Sequence, residues 1–427
     1  MVAADEINDF FDRGEMEEED VYGNGAEAED GEEEYLNEED CEVIELKEGD
    51  GVDDGNDMDE GAEAEEGDEA VDEDVEVDVD DTYTDLEGHT ASVFCVVASP
   101  TDNNVVATGG GDDRALVHDV RNSKISGKFE SLGDSVNCAA FSSDGKRVAF
   151  GVMNGRIIVA EVGTDRVMYE PSGPTMGVEW LQFHPRGPFL LAGSEDTMLY
   201  MFNDKGEYVM GFAGHHKTVT CGGFTPDGTK VVSGSDDGTL KTWNPRDGTC
   251  TGTTASVRAG DEPPGIISLD MSDKGGSSTL ALAGYGDGSV RLFNLDTMVC
   301  VGEVPSHDDS VECVAFSPPG VIPRMCASAG MDGIIRIWDM DQSRVRCELQ
   351  HGDGVVAMEW HPNKQGLIIT AGRDRCVRVW DAKKALDLAV LQGNRNTILS
   401  MDVGVTGEYV VTGGDDHHVR LFSLYQQ

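Results

Sequence analysis

The sequence predicts an all-β fold: an eight-bladed WD-repeat β-propeller preceded by a disordered acidic N-terminal tail. Three observations carry that expectation. Residues 214–244 read as three short alternating strands separated by Gly, Asp and Pro turns, an antiparallel meander. The meander repeats, because a marker residue recurs at Asp112, Asn154, Asp196, Asp237, Asp287, Asp332, Asp374 and Asp416, with spacings of 42, 42, 41, 50, 45, 42 and 42. About six residues past each marker comes a second signal, clearest as Trp243-Asn244, Trp338-Asp339 and Trp380-Asp381. A period of roughly 40–45 residues with Gly-His and Trp-Asp signatures is that of WD-type blades. One meander alone could not bury its own faces, so it is the repetition that specifies a fold.

Taken in order, the chain opens with residues 1–81, which hold 39 Asp and Glu against Arg13 and Lys47, a net charge of −37. Low apolar content and high charge predict disorder in the free state. Two patches interrupt the acid: Ile7, Phe10 and Phe11, then Tyr35, Leu36, Val43, Ile44 and Leu46. They are either residual apolar content or short docking motifs that fold on binding. Residues 82–427 form the propeller, with blades near 89–130, 131–171, 172–212, 213–254, 255–302, 303–348, 349–391 and 392–427. The last repeat stops after its third strand, so a strand near 82–86 must supply the fourth and close the ring without a free edge. The longer spacings arise from loops at 258–265, 273–278 and 318–323, surface length that can also carry partner contacts.

Charge narrows the function. The whole chain carries −52 and the propeller segment −15. Such a protein repels nucleic-acid phosphates and anionic lipid and attracts basic partners. Of ten cysteines, Cys95, Cys138, Cys221 and Cys313 share one repeat position, which reads as a small buried hydrophobe in a reducing compartment. The N-terminus lacks the basic flank and apolar core of a signal peptide, and no run approaches eighteen apolar residues. The expectation is a soluble monomer of the cytoplasm, with nuclear entry left open.

His215, Ser233, Asp237 and Trp243 have the residue types of a carboxylate–imidazole–hydroxyl–indole relay. The set recurs as His307, Ser328, Asp332 and Trp338 and as His351, Thr370, Asp374 and Trp380, while the first blade has His89, Thr108, Asp112 and His118. Asp-His-Ser invites a hydrolase reading, but a nucleophile needs no copies and no Gly-x-Ser-x-Gly elbow accompanies it. The tetrads therefore read as hydrogen-bonded fastenings inside blades, and no enzyme is expected. Leu132, Asn154 and Asn394 break the pattern, so their blades should rely more on apolar stacking. The pairs His215-His216 and His417-His418 point to opposite faces of a strand and make no metal site. The glycine clusters precede no helix and cradle no phosphate. No cofactor is expected.

What remains is a surface. The turn holding the marker and the loop entering the innermost strand open on one face, around the central channel. Glu179, Glu195, Asp236, Glu312 and Asp415 lie at those positions against a single Arg373, with Phe94, Met153 and Met331 as apolar footing. The set predicts an acidic mouth suited to a Lys/Arg-rich peptide.

With these residues in view, the chain resembles the angio-associated migratory cell protein family. The resemblance lies in Ala91-Ser-Val-Phe-Cys-Val96, in the Thr108-Gly-Gly-Gly-Asp-Asp-Arg-Ala115 turn, in Phe183 through Gly193, and in the acidic segment before blade one. The family's fungal member is an eight-bladed WD-repeat chaperone of a basic large-subunit ribosomal protein, the QM or L-ten protein. The resemblance implies capture of that protein's basic N-terminal segment on the acidic face, in support of large-subunit assembly. The animal member is associated with cell migration and receptor signalling. Two alternatives stay open: a scaffold such as a ubiquitin-ligase receptor, to which Trp380, Asp381, Ala382 and Lys383 loosely correspond, and a chaperone of another basic client such as histones.

Overall fold

The computed structural model describes residues 81–254, 263–272, 279–304, 307–340 and 344–424. The acidic tail, apart from Asp81, lies outside the described residues, as do residues 273–278 and most of the loop at 258–265. Among the described residues, thirty-two strands form eight four-stranded antiparallel sheets. In blade one the order is β2 (Val93–Ala98), β3 (Val105–Gly110), β4 (Ala115–Asp119) and β5 (Lys124–Phe129), running from the hub outward. The burial gradient follows the sequence: β3 and β4 are almost wholly buried, whereas β5, reading KISGKF, exposes its lysines.

The core lies between blades. Ala107, Val117 and Phe129 of the first blade pack against Val136, Phe150 and Ile158 of the second. At the seam, Leu86, Val411 and Leu421 of the last blade pack against Val93, Val96 and Val106 of the first. That last blade is completed by the start of the chain. β1 (Thr84–Leu86) pairs antiparallel with β32 (Val419–Ser423), and β31 (Tyr409–Gly414) and β30 (Ile398–Val403) complete the sheet.

Each marker turn is built around one backbone requirement. The residue after every marker adopts a left-handed conformation: Gly155, Gly238, Gly288 and Gly333 where glycine stands, Asp113, Thr197, Arg375 and His417 where it does not. Only glycine accepts this geometry without steric cost. The marker side chain supports the turn; Asp237 Oδ1, for example, accepts the Thr239 N–H at 2.9 Å.

At the hub, side chains of one inner strand bond the backbone of the next. Cys138 Sγ, Trp180 Nε1, Ser268 Oγ and Cys313 Sγ donate to the carbonyls of Val178, Val219, Val311 and Val356. The repeated cysteines are thus thiol donors as well as small buried groups, and burial holds Cys95 at about 12, well into the thiol form. In blade four Thr220, not Cys221, makes the bond, to Ile266 O. One layer deeper, Gln182, Asp270, Glu359 and Asp402 accept the N–H groups of Phe224, Phe316, Val403 and Ala98. Glu359 and Asp402 adjoin one another, and burial followed by mutual charge raises Glu359 well above the usual carboxylate range. Asp402 is pushed up to about 6 by burial. Both favour the fold while protonated; the support from Asp402 is complete below the ordinary carboxylate range and is lost as pH rises from there through about 6.

The last-to-first seam is the point at which the ring can open. Deletion of residues 82–88 removes β1 and leaves β32 unpaired, and it should lower the melting temperature and broaden the transition. Differential scanning calorimetry checks this; a variant melting as sharply and as late as the parent would contradict it.

Candidate functional site

The relay residues come together as hydrogen-bonded chains inside blades. In blade four Asp237 Oδ2 lies 3.1 Å from His215 Nδ1, His215 Nε2 2.7 Å from Ser233 Oγ, and Trp243 Nε1 donates to Ser233 Oγ at 2.9 Å. Blade six repeats it with Asp332, His307, Ser328 and Trp338, the indole bond stretched to 3.4 Å. Blade one substitutes His118, whose Nε2 lies 3.0 Å from Thr108 Oγ1; burial depresses His118 to about 3, so it is neutral. Ser233, Ser328 and Thr108 are 0% exposed. A hydroxyl sealed this way cannot reach a substrate.

Blade seven departs from the expected set. Trp380 Nε1 donates to Thr370 at 2.8 Å, but neither ring nitrogen of His351 makes a hydrogen bond, although Nδ1 sits 3.2 Å from Asp374. Asp374 is instead engaged by the Cys376 N–H at 3.0 Å and the Arg378 guanidinium at 3.5 Å. Blade eight also differs from the expectation of greater reliance on apolar stacking. Arg420 Nη1 donates to Asp416 at 2.6 Å and to Asn394 at 3.4 Å, and Thr412 donates to Asn394 at 3.1 Å, so a polar chain replaces the histidine. In blade two, Leu132 is buried in the apolar cluster while its carbonyl accepts from Asn154 and Arg156.

The His–Asp bonds place the marker turns and the loops entering the inner strands on one face. Two structural devices aim side chains there. The residues just before each marker sit at the turn, and those one past the first apolar residue of the inner strand are, in six blades, β-bulge residues. The inner-strand register slips at Phe94, Asn137, Glu179, Ile267, Val356 and Leu399. A bulge bends its strand and re-aims a side chain. Glu312 and Thr220 stand just ahead of their strands, β22 (Cys313–Phe316) and β14 (Cys221–Phe224).

The structure brings three of the expected carboxylates together. Glu179, on β10 (Val178–Phe183), is raised to about 7, first by burial, then by the charge and hydrogen bond of Glu195 and the charge of Asp236. Asp236 is raised by burial and by Asp237, with Lys217 opposing. Glu195 accepts the Gly177 N–H at 3.3 Å. The other expected residues do not join this trio. Glu312, on blade six, accepts from Ser310 at 2.6 Å. Asp415 bridges the seam, taking Ser92 Oγ at 2.5 Å and Asn396 at 2.9 Å. Phe94, on blade one, stays exposed. Sequence reasoning missed Lys217, which answers Asp236 as a second cation besides Arg373, and the acids of the entry loops, Asp134, Asp309 and Asp353. A repeat alignment of those loops would have found the latter, because each stands two residues before the first apolar residue of the inner strand. Among the described residues no His/Cys/Asp/Glu cluster has the arrangement of a metal site.

Comparison with known proteins agrees with this architecture. The WD domain, G-beta repeat model matches residues 81–119, 166–203, 206–244, 298–339, 343–381 and 387–423. The angio-associated migratory cell protein of Homo sapiens is 31% identical over 363 residues, 81% of this chain and 80% of that protein. Among solved structures, Chaetomium thermophilum Sqt1 bound to the N-terminus of the ribosomal protein L10 superposes with a TM-score of 0.73 at 24% identity, over 81% of this chain and all of that one. Saccharomyces cerevisiae Sqt1 gives 0.72 at 20% identity with the same coverage. At these identities the structural likeness speaks for the fold.

Fastening and face are separable by mutation. Ser233→Ala leaves the Trp243 indole N–H and the His215 ring without their shared partner and should cost about 1–3 kcal/mol in denaturant unfolding. Asp236→Asn, three residues on, should change the unfolding free energy by no more than about 0.5 kcal/mol.

Proposed function

The chain belongs to the WD-repeat family and, within it, to the angio-associated migratory cell protein family, and on that premise we propose that it captures the basic N-terminal segment of a newly made large-subunit ribosomal protein of the L10 type. The observation that carries this reading is the trio of Glu179, Glu195 and Asp236. Three carboxylates crowd at one place on the mouth, and burial, reinforced by the charge and hydrogen bond of Glu195 and the charge of Asp236, lifts Glu179 to about 7. A lysine or arginine entering there relieves the repulsion, so the site favours a cation before any shape is matched. The wider negative charge steers a basic segment to the mouth. The chaperone holds that segment in the cytoplasm, away from RNA, until delivery to the large subunit. The Sqt1 structure with the N-terminus of L10 supports the client class.

Two measurements test the site. Neutralising the trio as Glu179→Gln, Glu195→Gln and Asp236→Asn should weaken binding of a Lys/Arg-rich ribosomal-protein N-terminal peptide at least about tenfold and flatten its salt dependence. Unchanged affinity would remove the trio from the site, and purification of histones or ligase subunits in place of the ribosomal protein would remove the client.

Protonation supplies the second measurement. Glu179 must be ionised to pair with a cation, and its raised value means that it is mostly protonated at pH 6 and ionised at pH 8. Affinity should therefore fall on acidification, by up to about tenfold between pH 8 and pH 6 for one coupled group. Calorimetric titration at the two pH values checks the sign, and Glu179→Gln should abolish the difference.

A further inference from the structure

The face opposite the mouth carries a cavity that capture does not use. It has a volume of about 510 Å³ and opens between blades five and six, beneath the 318–323 insertion. Met271, Phe316, Pro318, Val321, Ile322 and Met325 line it, and the exposed Arg324 stands among them. Ile322 is 80% exposed, the most exposed large hydrophobic side chain described. A second hollow of about 530 Å³ adjoins it, sharing Asp270, Phe316 and Pro318. The Asp270 carboxyl is turned to backbone donors, accepting the Phe316 and Met271 N–H groups at 2.7 and 2.8 Å, while burial raises it. The cavity is mostly apolar, with the Arg324 side chain in its wall.

We propose that this cavity receives the N-terminal segment of the chain itself, residues 5–12, with Ile7, Phe10 and Phe11 as its anchors. Three independent observations select this occupant. In DEINDFFD the apolar residues stand at i, i+3 and i+4, so a single helical turn carries all three on one side. The four acids between and beside them, Asp5, Glu6, Asp9 and Asp12, suit Arg324.

The second observation is where the propeller receives its tail. β1 runs antiparallel to β32, which descends from the mouth, so Asp81 lies toward the far face. Its carboxyl accepts the Gln392 N–H of the preceding blade at 3.0 Å, which ties the start of β1 to that blade.

The third is length. Seventy residues separate Phe11 from Asp81, and a coil of that length spans roughly 45 Å. The cavity is two to three blades from the exit, about 20–30 Å at the packing distance of sheets. The mouth, which repels the acid of this segment, is an unfavourable alternative.

The inference stands apart from the identity of the client, and a photo-crosslink in the full-length chain tests it. With p-benzoylphenylalanine at Phe10, irradiation should give intrachain adducts to Met271, Met325 or residues 318–322, located by mass spectrometry. Ile322→Asp and Phe11→Ala should each lower their yield at least fivefold while leaving the melting temperature unchanged. Adducts on the mouth loops, adducts without a preferred site, full yield in Ile322→Asp, or covalent dimers showing a second copy as the occupant would each overturn the proposal.

Discussion

A propeller blade buries both of its faces against its neighbours, and the pairing of β1 with β32 is what allows eight blades to do so in a closed ring. Without it, β32 would present a free edge, and the apolar seam between the last blade and the first would lose Leu86. The hub reinforces the same seam. Glu359, Asp402 and Ser400 link blades seven, eight and one through backbone N–H groups, so closure is held at both the inner and outer radius.

Within this ring the marker turn does two things with adjacent residues. Asp237 faces inward to His215 and is held below the usual carboxylate range despite its burial, by bonds from His215, Thr239 and the His216 amide. Asp236 faces the mouth and is raised. The same turn therefore stabilises one carboxylate and strains the other. The difference is supply of donors: the inner residue has four, whereas the outer one has Lys217 nearby and other acids around it.

The two faces differ in kind. The mouth gathers carboxylates on turns and bulges, whereas the far face carries an apolar cavity edged by Arg324 at the place where one blade is lengthened.

Blade number, register and the fastening residues were legible in the sequence because each depends on local spacing that recurs every forty-odd residues. His215, Ser233, Asp237 and Trp243 are read from one repeat and meet within one sheet. The expectation of an acidic mouth was legible for the same reason. Its grouping was not: Glu179 and Asp236 are 57 residues apart, and only the stacking of blades three and four, with a bulge at Glu179, makes them neighbours. Nor could the sequence show that His351 lacks its hydrogen bonds, that Asn394 is answered by Arg420, or that repeated cysteines donate across blades. Periodicity determines which residues occupy equivalent positions in a blade. What those residues touch across the gap to the next blade depends on register, bulges and competing partners, and the tertiary structure alone decides that.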